Sequence, residues 1–131
     1  GVSTLNPFKK TEAETIAWSE GVSAVSNKNA GVCISDIHNG DYIKVRSVDF
    51  RKGAKRFLAH VASSAKGEIE IKIGGIEGET IGICKVNGTG GMDKWSSIST
   101  RVKKVEGVHD LYFVFKGGDG ELLNFDWWKF Q

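Results

Sequence analysis

Glu12 and Glu14 stand two residues apart in the run Thr-Glu-Ala-Glu-Thr, and Asn124 and Asp126 keep the same spacing in Asn-Phe-Asp-Trp-Trp-Lys-Phe near the other end of the chain. Residues two apart in a strand share a face, so a strand over residues 10–15 would set two carboxylates side by side. Such a pair repels itself unless water or a cation separates the charges. One reading is a solvated strand face. The other is a calcium site, because Ca²⁺ collects about six to eight oxygen ligands and favours carboxylates combined with backbone carbonyls. Asn124 and Asp126 are costly to bury alone, so the polar face they define must meet a ligand, a metal or hydrogen-bonding backbone.

Catalytic chemistry is hard to find. His38, His60 and His109 show no i, i+4 pairing and no metal-ligand spacing with Cys33 and Cys84, which reads them as surface or packed histidines. No serine lies in a Gly-x-Ser-x-Gly elbow. Carboxylates are plentiful, but no spacing singles out a glycosidase pair. Asn87-Gly88-Thr89 fits the glycosylation acceptor pattern, which chance explains equally well. Cys33 and Cys84 form either one disulfide or two buried free thiols, the second being the simpler reading.

The elements that would position these groups follow from the hydrophobic pattern. Leu111, Phe113 and Phe115 alternate with Asp110, Tyr112 and Val114; beyond the Gly117–Gly120 turn, Leu123, Phe125 and Trp127 alternate with Asn124, Asp126 and Trp128. Further strands are predicted at 32–37, 42–48, 56–62, 68–73, 80–86 and 95–105. Asn39-Gly40-Asp41 marks a strong turn, and residues 23–31 read as a polar surface loop whose carbonyls could complete a metal shell. Eight or nine short strands without helical period or βα alternation predict an all-β antiparallel sandwich or barrel.

One domain of 131 residues has room for a real core. Residues 1–6 have linker character, and residues 7–131 form the domain. A net charge of +2 and dispersed lysines at 9, 10, 52, 55, 103 and 104 argue for a solvated surface and against a nucleic-acid binder. No apolar run reaches the ~20 residues of a membrane span, and the first residues lack a signal-peptide pattern, so any secretion signal is expected upstream. Four Trp, two Tyr and seven Phe exceed what a core of this size absorbs. Phe50, Phe57, Phe113, Phe115 and Phe125 are predicted buried, which leaves Trp18, Tyr42, Trp95, Trp127 and Trp128 as candidates for exposed rings. Such rings, with a few polar groups, are what a sugar-binding surface needs.

Taken together, residues 108–115 (Val-His-Asp-Leu-Tyr-Phe-Val-Phe), 124–130, 39–43 (Asn-Gly-Asp-Tyr-Ile) and 88–91 (Gly-Thr-Gly-Gly) resemble a family 6 carbohydrate-binding module. The Thr-Glu-Ala-Glu-Thr-Ile-Ala-Trp opening at 11–18 is most similar to modules attached to family 43 arabinofuranosidases and xylosidases. The resemblance covers nearly the whole chain from Asn6 onward. It implies a β-sandwich jelly roll, and a non-catalytic, secreted, monomeric module targeting a glycoside hydrolase to xylan, arabinoxylan or a related β-linked polysaccharide. It also implies a structural calcium held by Glu12, Glu14 and Asp126. The family's principal cleft clamps a sugar between two aromatics above an Asn. Those positions fall on Asp36, Met92 and Asn124, so only the Asn is retained. Asp36, Met92 and Asn124 are the expected primary site; the alternative is the family's second cleft, on the concave face of one sheet, which maps onto Tyr42, with Glu20 expected beside it. The alternative is a structural or docking domain packed on a catalytic domain with little sugar affinity.

Overall fold

The computed structural model describes residues 3–27 and 31–131. Among the described residues eleven strands follow one another: β1 (Thr11–Glu12), β2 (Trp18–Glu20), β3 (Ser23–Asn27), β4 (Gly31–Ser35), β5 (Tyr42–Asp49), β6 (Arg56–Ser63), β7 (Gly67–Ile73), β8 (Glu79–Val86), β9 (Gly91–Arg101), β10 (Val108–Gly117) and β11 (Asn124–Phe130). They form two antiparallel sheets. One has the order β3-β4-β11-β6-β9, with β1 also paired to β11, and the other runs β2-β5-β10-β7-β8. No helix among the described residues is long and apolar enough to cross a membrane.

The sandwich forms because alternate residues of the inner strands are apolar, and stacking two such faces removes both from water. Phe113 of β10 meets Phe57, Phe125 and Trp128 of the facing sheet at ring-centroid distances of 5.4, 5.7 and 5.3 Å. All five phenylalanines expected in the core are buried, none more than 1% exposed. Pro7 and Phe130 are joined by a backbone hydrogen bond of 2.8 Å, which brings the two ends of the sandwich chain alongside each other.

Two bulges decide which side chains face outward. In β11 the pairing with β6 slips between Phe125 and Trp127, so Asp126 is an extra residue. An inserted residue reverses every later face. Trp128 and Phe130 therefore enter the core at 0% exposure, while Trp127 turns outward. This corrects the simple alternation, which put Trp127 with Phe125 and left Trp128 on the polar face. In β5 a similar slip against β10 coincides with Ser47 in left-handed conformation (φ 55), and lets Val45 and Val48, three residues apart, both face the core. The Ser47 N–H is satisfied by Asp110 Oδ1 at 2.9 Å.

Other boundaries also move. The expected strand over 10–15 is only Thr11–Glu12, because the chain turns at once, with Thr15 N–H donating to the Glu12 carbonyl at 3.0 Å. Residues 23–27, read as loop, are strand β3 paired along β4, and residues 28–30 lie outside the described residues. Strand β9 begins at Gly91 and ends at Arg101, so Met92 belongs to a strand and not to a loop. Cys33 in one sheet and Cys84 in the other are buried free thiols. Burial pushes the Cys84 thiol up to about 11, which keeps it protonated and inert.

Candidate functional site

Asn124, Met92 and Asp36 lie at one end of the sandwich. Asn124 opens β11, and its Nδ2 donates to the Met92 carbonyl at 2.8 Å. Asp36 sits in the β4–β5 connection in left-handed conformation (φ 58), with its carboxylate 3.8 Å from His38 Nδ1. That connection is fixed by the Leu122 N–H donating to the Ile37 carbonyl at 2.8 Å. Buried Ser63 reinforces it, with Oγ 2.6 Å from the Leu122 carbonyl. The three expected residues thus share a region, but Asp36 and Met92 bring a carboxylate and a thioether where a clamp needs rings. The aromatic groups on the neighbouring strands of that sheet stack on one another. Trp95, which faces Ala62 as Asn124 does from the other side, stacks on His60 at 5.5 Å, and His60 stacks on Trp127 at 5.4 Å. Lys10 covers Trp127 at 5.1 Å.

The outer face of the β2-β5-β10-β7-β8 sheet offers more. Tyr42 starts β5 and faces outward because Ile43 and Val45 are drawn into the core. Cross-strand register places Glu20 directly opposite Tyr42 and Trp18 opposite Lys44. Tyr112 of β10 is also opposite Lys44, its ring 6.2 Å from that of Tyr42. Lys44 Nζ lies 5.6 Å over the Tyr112 ring and 3.7 Å from Asp110 Oδ2. Trp18 is 58% exposed, the largest value for a large apolar side chain among the described residues, and its Nε1 donates to Glu20 Oε1 at 3.3 Å. Val114, between Tyr42 and Glu70 in register, gives the face an apolar floor. Three aromatic side chains interleaved with an ammonium and carboxylates match what a pyranose presents: apolar C–H faces and a rim of hydroxyls. Tyr42 and Glu20 are brought together as expected. Trp18 and Tyr112 were missed as partners, although the outward alternation of Tyr112 against Leu111 and Phe113 carried the signal.

Glu12, Glu14 and Asp126 converge where β1 pairs with the β11 bulge. Ala13 N–H donates to the Asp126 carbonyl at 2.8 Å, tying the turn to the bulge. Asp126 is only 7% exposed. Burial pushes its carboxyl up, against the pull of His60 and Lys10 and of a hydrogen bond shared with Glu12. Burial first, and then Asp126, push the Glu12 carboxyl up as well. Glu14 Oε2 and Asp126 Oδ1 are both buried without a hydrogen-bond partner. Orphaned carboxylate oxygens are the donors a hard cation takes. Among the described residues no three His, Cys, Asp or Glu side chains form a ready-made metal cage, so carbonyl oxygens would have to complete the shell.

An antiparallel two-sheet sandwich of this kind is the architecture of non-catalytic carbohydrate-binding modules. Residues 12–131 match carbohydrate binding module family 6, and the chain belongs to that family. It is 43% identical, over 98% of its length, to an arabinoxylan arabinofuranohydrolase of Paenibacillus polymyxa, and 40% identical, over 98%, to one from Bacillus subtilis strain 168. The alignments cover 21% and 26% of those proteins, so the chain spans about a quarter of their length or less. A family 6 module from Clostridium cellulolyticum, solved in complex with xylose, superposes with a TM-score of 0.94 at 35% identity, covering 97% of this chain and 99% of that one. A family 43 arabinoxylan arabinofuranohydrolase from Bacillus subtilis, solved with cellotetraose, superposes with a TM-score of 0.95 at 39% identity, covering 99% of this chain and 28% of that one.

Proposed function

We propose that this module binds neutral β-linked xylan or arabinoxylan chains on the face formed by Tyr42, Tyr112 and Trp18, and thereby holds an attached arabinofuranosidase on its polymer. The observation that carries the reading is the Tyr42–Tyr112 pair with Glu20 and Trp18 beside it. A sugar ring laid on Tyr42 would stack through its C–H face and offer hydroxyls to Glu20 and Lys44. An open sheet face of this kind suits a polymer, which runs on past it at both ends. Arabinoxylan is an extracellular substrate, so the module would act outside the cell. Glu12, Glu14 and Asp126 would hold a calcium ion whose role is structural: it would neutralise the buried carboxylates and clamp the start of the domain to its last strand.

The end cleft at Asn124 is the second reading, favoured by the retained amide. Two missing rings weaken it by about 1–3 kcal/mol each on the scale of aromatic stacking sites. A docking domain without sugar affinity is the third, and the same two positions favour it. Affinity electrophoresis in gels containing xylan, arabinoxylan or mixed-linkage glucan separates these. Retardation of the parent and of Asn124→Ala by arabinoxylan is expected; unretarded migration of the parent in all three gels would leave only docking.

A further inference from the structure

The end of the sandwich opposite Asn124 carries a second cleft that neutral sugar binding does not use. Strands β6 and β9 run antiparallel, with Ser63 beside Gly91 at the Asn124 end and Arg56 opposite Arg101 at the other. There the β5–β6 turn and the β9–β10 connection enclose about 600 Å³, lined by Lys52, Lys55, Arg56, Arg101 and Lys104 over Gly53, Ala54 and Val102. The sequence scatters these cations, and the topology gathers them. Backbone hydrogen bonds fix the walls: Val102 N–H donates to the Lys55 carbonyl at 3.0 Å. Gly53 is left-handed (φ 114), and a Cβ there would lie 2.6 Å from Lys104 Cγ, so only glycine lets the Lys104 stem cross the floor.

The charge arrangement is unfavourable as it stands. Like charges directly opposite each other in a sheet repel, and Arg56 and Arg101 are such a pair. Among the described residues, only Lys104 of the five has a carboxylate within ion-pair distance, Glu106 at 3.3 Å. Arg56 Nη2 donates to the Ser99 hydroxyl at 3.0 Å, which leaves the charge uncompensated. A carboxylate seated between the guanidiniums would relieve the repulsion and accept paired N–H donors from either of them. The volume suits a short run of sugar rings rather than a duplex. No aromatic side chain lines the cleft, so a neutral ring would gain nothing by stacking.

We infer that this cleft is a binding site for uronic acid residues, so that the module carries an acidic-glycan site at the end opposite Asn124, apart from its neutral-sugar face. The inference does not rest on the Tyr42 site. The test uses the whole chain and two probes, trigalacturonate and xylotetraose, followed by amide chemical shifts and calorimetry. Trigalacturonate is expected to shift the amides of residues 52–56 and 101–104, to bind more weakly as salt is raised, and to bind Arg56→Ala/Arg101→Ala on the order of tenfold more weakly or worse. The double variant should fold and melt like the parent, since it removes a repulsive exposed pair, and its response to xylotetraose should be unchanged. The inference is overturned if trigalacturonate leaves those amides unmoved, if the double variant binds it equally, or if acetate at equal charge produces the same shifts. It is also overturned if, in the full-length enzyme, a neighbouring domain protects these amides and excludes trigalacturonate, which would make the cleft a docking contact.

Discussion

Replacing Phe113 by alanine should cost about 3–5 kcal/mol of stability, the range for deleting a buried aromatic ring. Phe113 is fully buried and reaches from β10 to Phe57, Phe125 and Trp128 of the opposite sheet. Its loss removes the contact that joins three rings of one sheet to the other, and backbone pairing on both sides keeps the sheets from collapsing into the void. For a domain of this size that corresponds to a fall in melting temperature of about 10 °C or more. Val108→Ala, at a side chain 51% exposed on the same strand, should change stability by no more than about 0.5 kcal/mol. Urea titration of the two variants checks this. A loss below about 1 kcal/mol for Phe113→Ala would mean that the sheets do not depend on that aromatic junction.

On the proposed calcium site, chelation should have an effect of similar size, with a definite pH dependence. An ion that binds only the folded chain stabilises it by about 4 kcal/mol when its concentration is ~1,000 times Kd. In the calcium-free chain the Glu12 and Asp126 carboxyls are pushed above their ordinary values of 4.5 and 3.8. A raised carboxyl holds its proton more tightly in the folded state, so its stabilisation is present below the unfolded pKa and is lost as pH rises through the folded one. The calcium-free protein therefore loses stability from these groups as pH climbs from about 4 toward neutrality. Calcium needs the ionised forms, so its contribution grows over the same interval. The difference in melting temperature with and without chelator should be large at neutral pH and shrink toward pH ~4.5. Superimposed melts at neutral pH would remove calcium from the account.

Much of this architecture was legible because strand alternation is a direct physical consequence of pairing a wet face with a dry one. It failed where one residue was inserted. The bulge at Asp126 leaves no mark on the composition of Asn-Phe-Asp-Trp-Trp-Lys-Phe, yet it exchanges the fates of Trp127 and Trp128. Strand β3 was hidden because an edge strand with Val25 39% exposed has no apolar stripe to read. Tyr42 was readable from its turn and its alternation. Its partners were less so, since Trp18 reaches it only through the β2–β5 register. The basic cleft could not be read at all: Arg56 and Arg101 are neighbours only because β6 and β9 pair.

The sharpest test of the sugar-binding account is calorimetric titration of xylotetraose into the parent, Tyr42→Ala and Asn124→Ala. Both substituted side chains are half-buried and lie outside the hydrophobic core cluster, so the variants should remain folded. Removing one stacking ring should weaken binding by about 1–3 kcal/mol, on the order of tenfold to a hundredfold in Kd. The account predicts that loss for Tyr42→Ala, with Asn124→Ala binding as the parent does. The opposite pattern, with Tyr42→Ala unchanged and Asn124→Ala impaired, would place the sugar in the end cleft and contradict it.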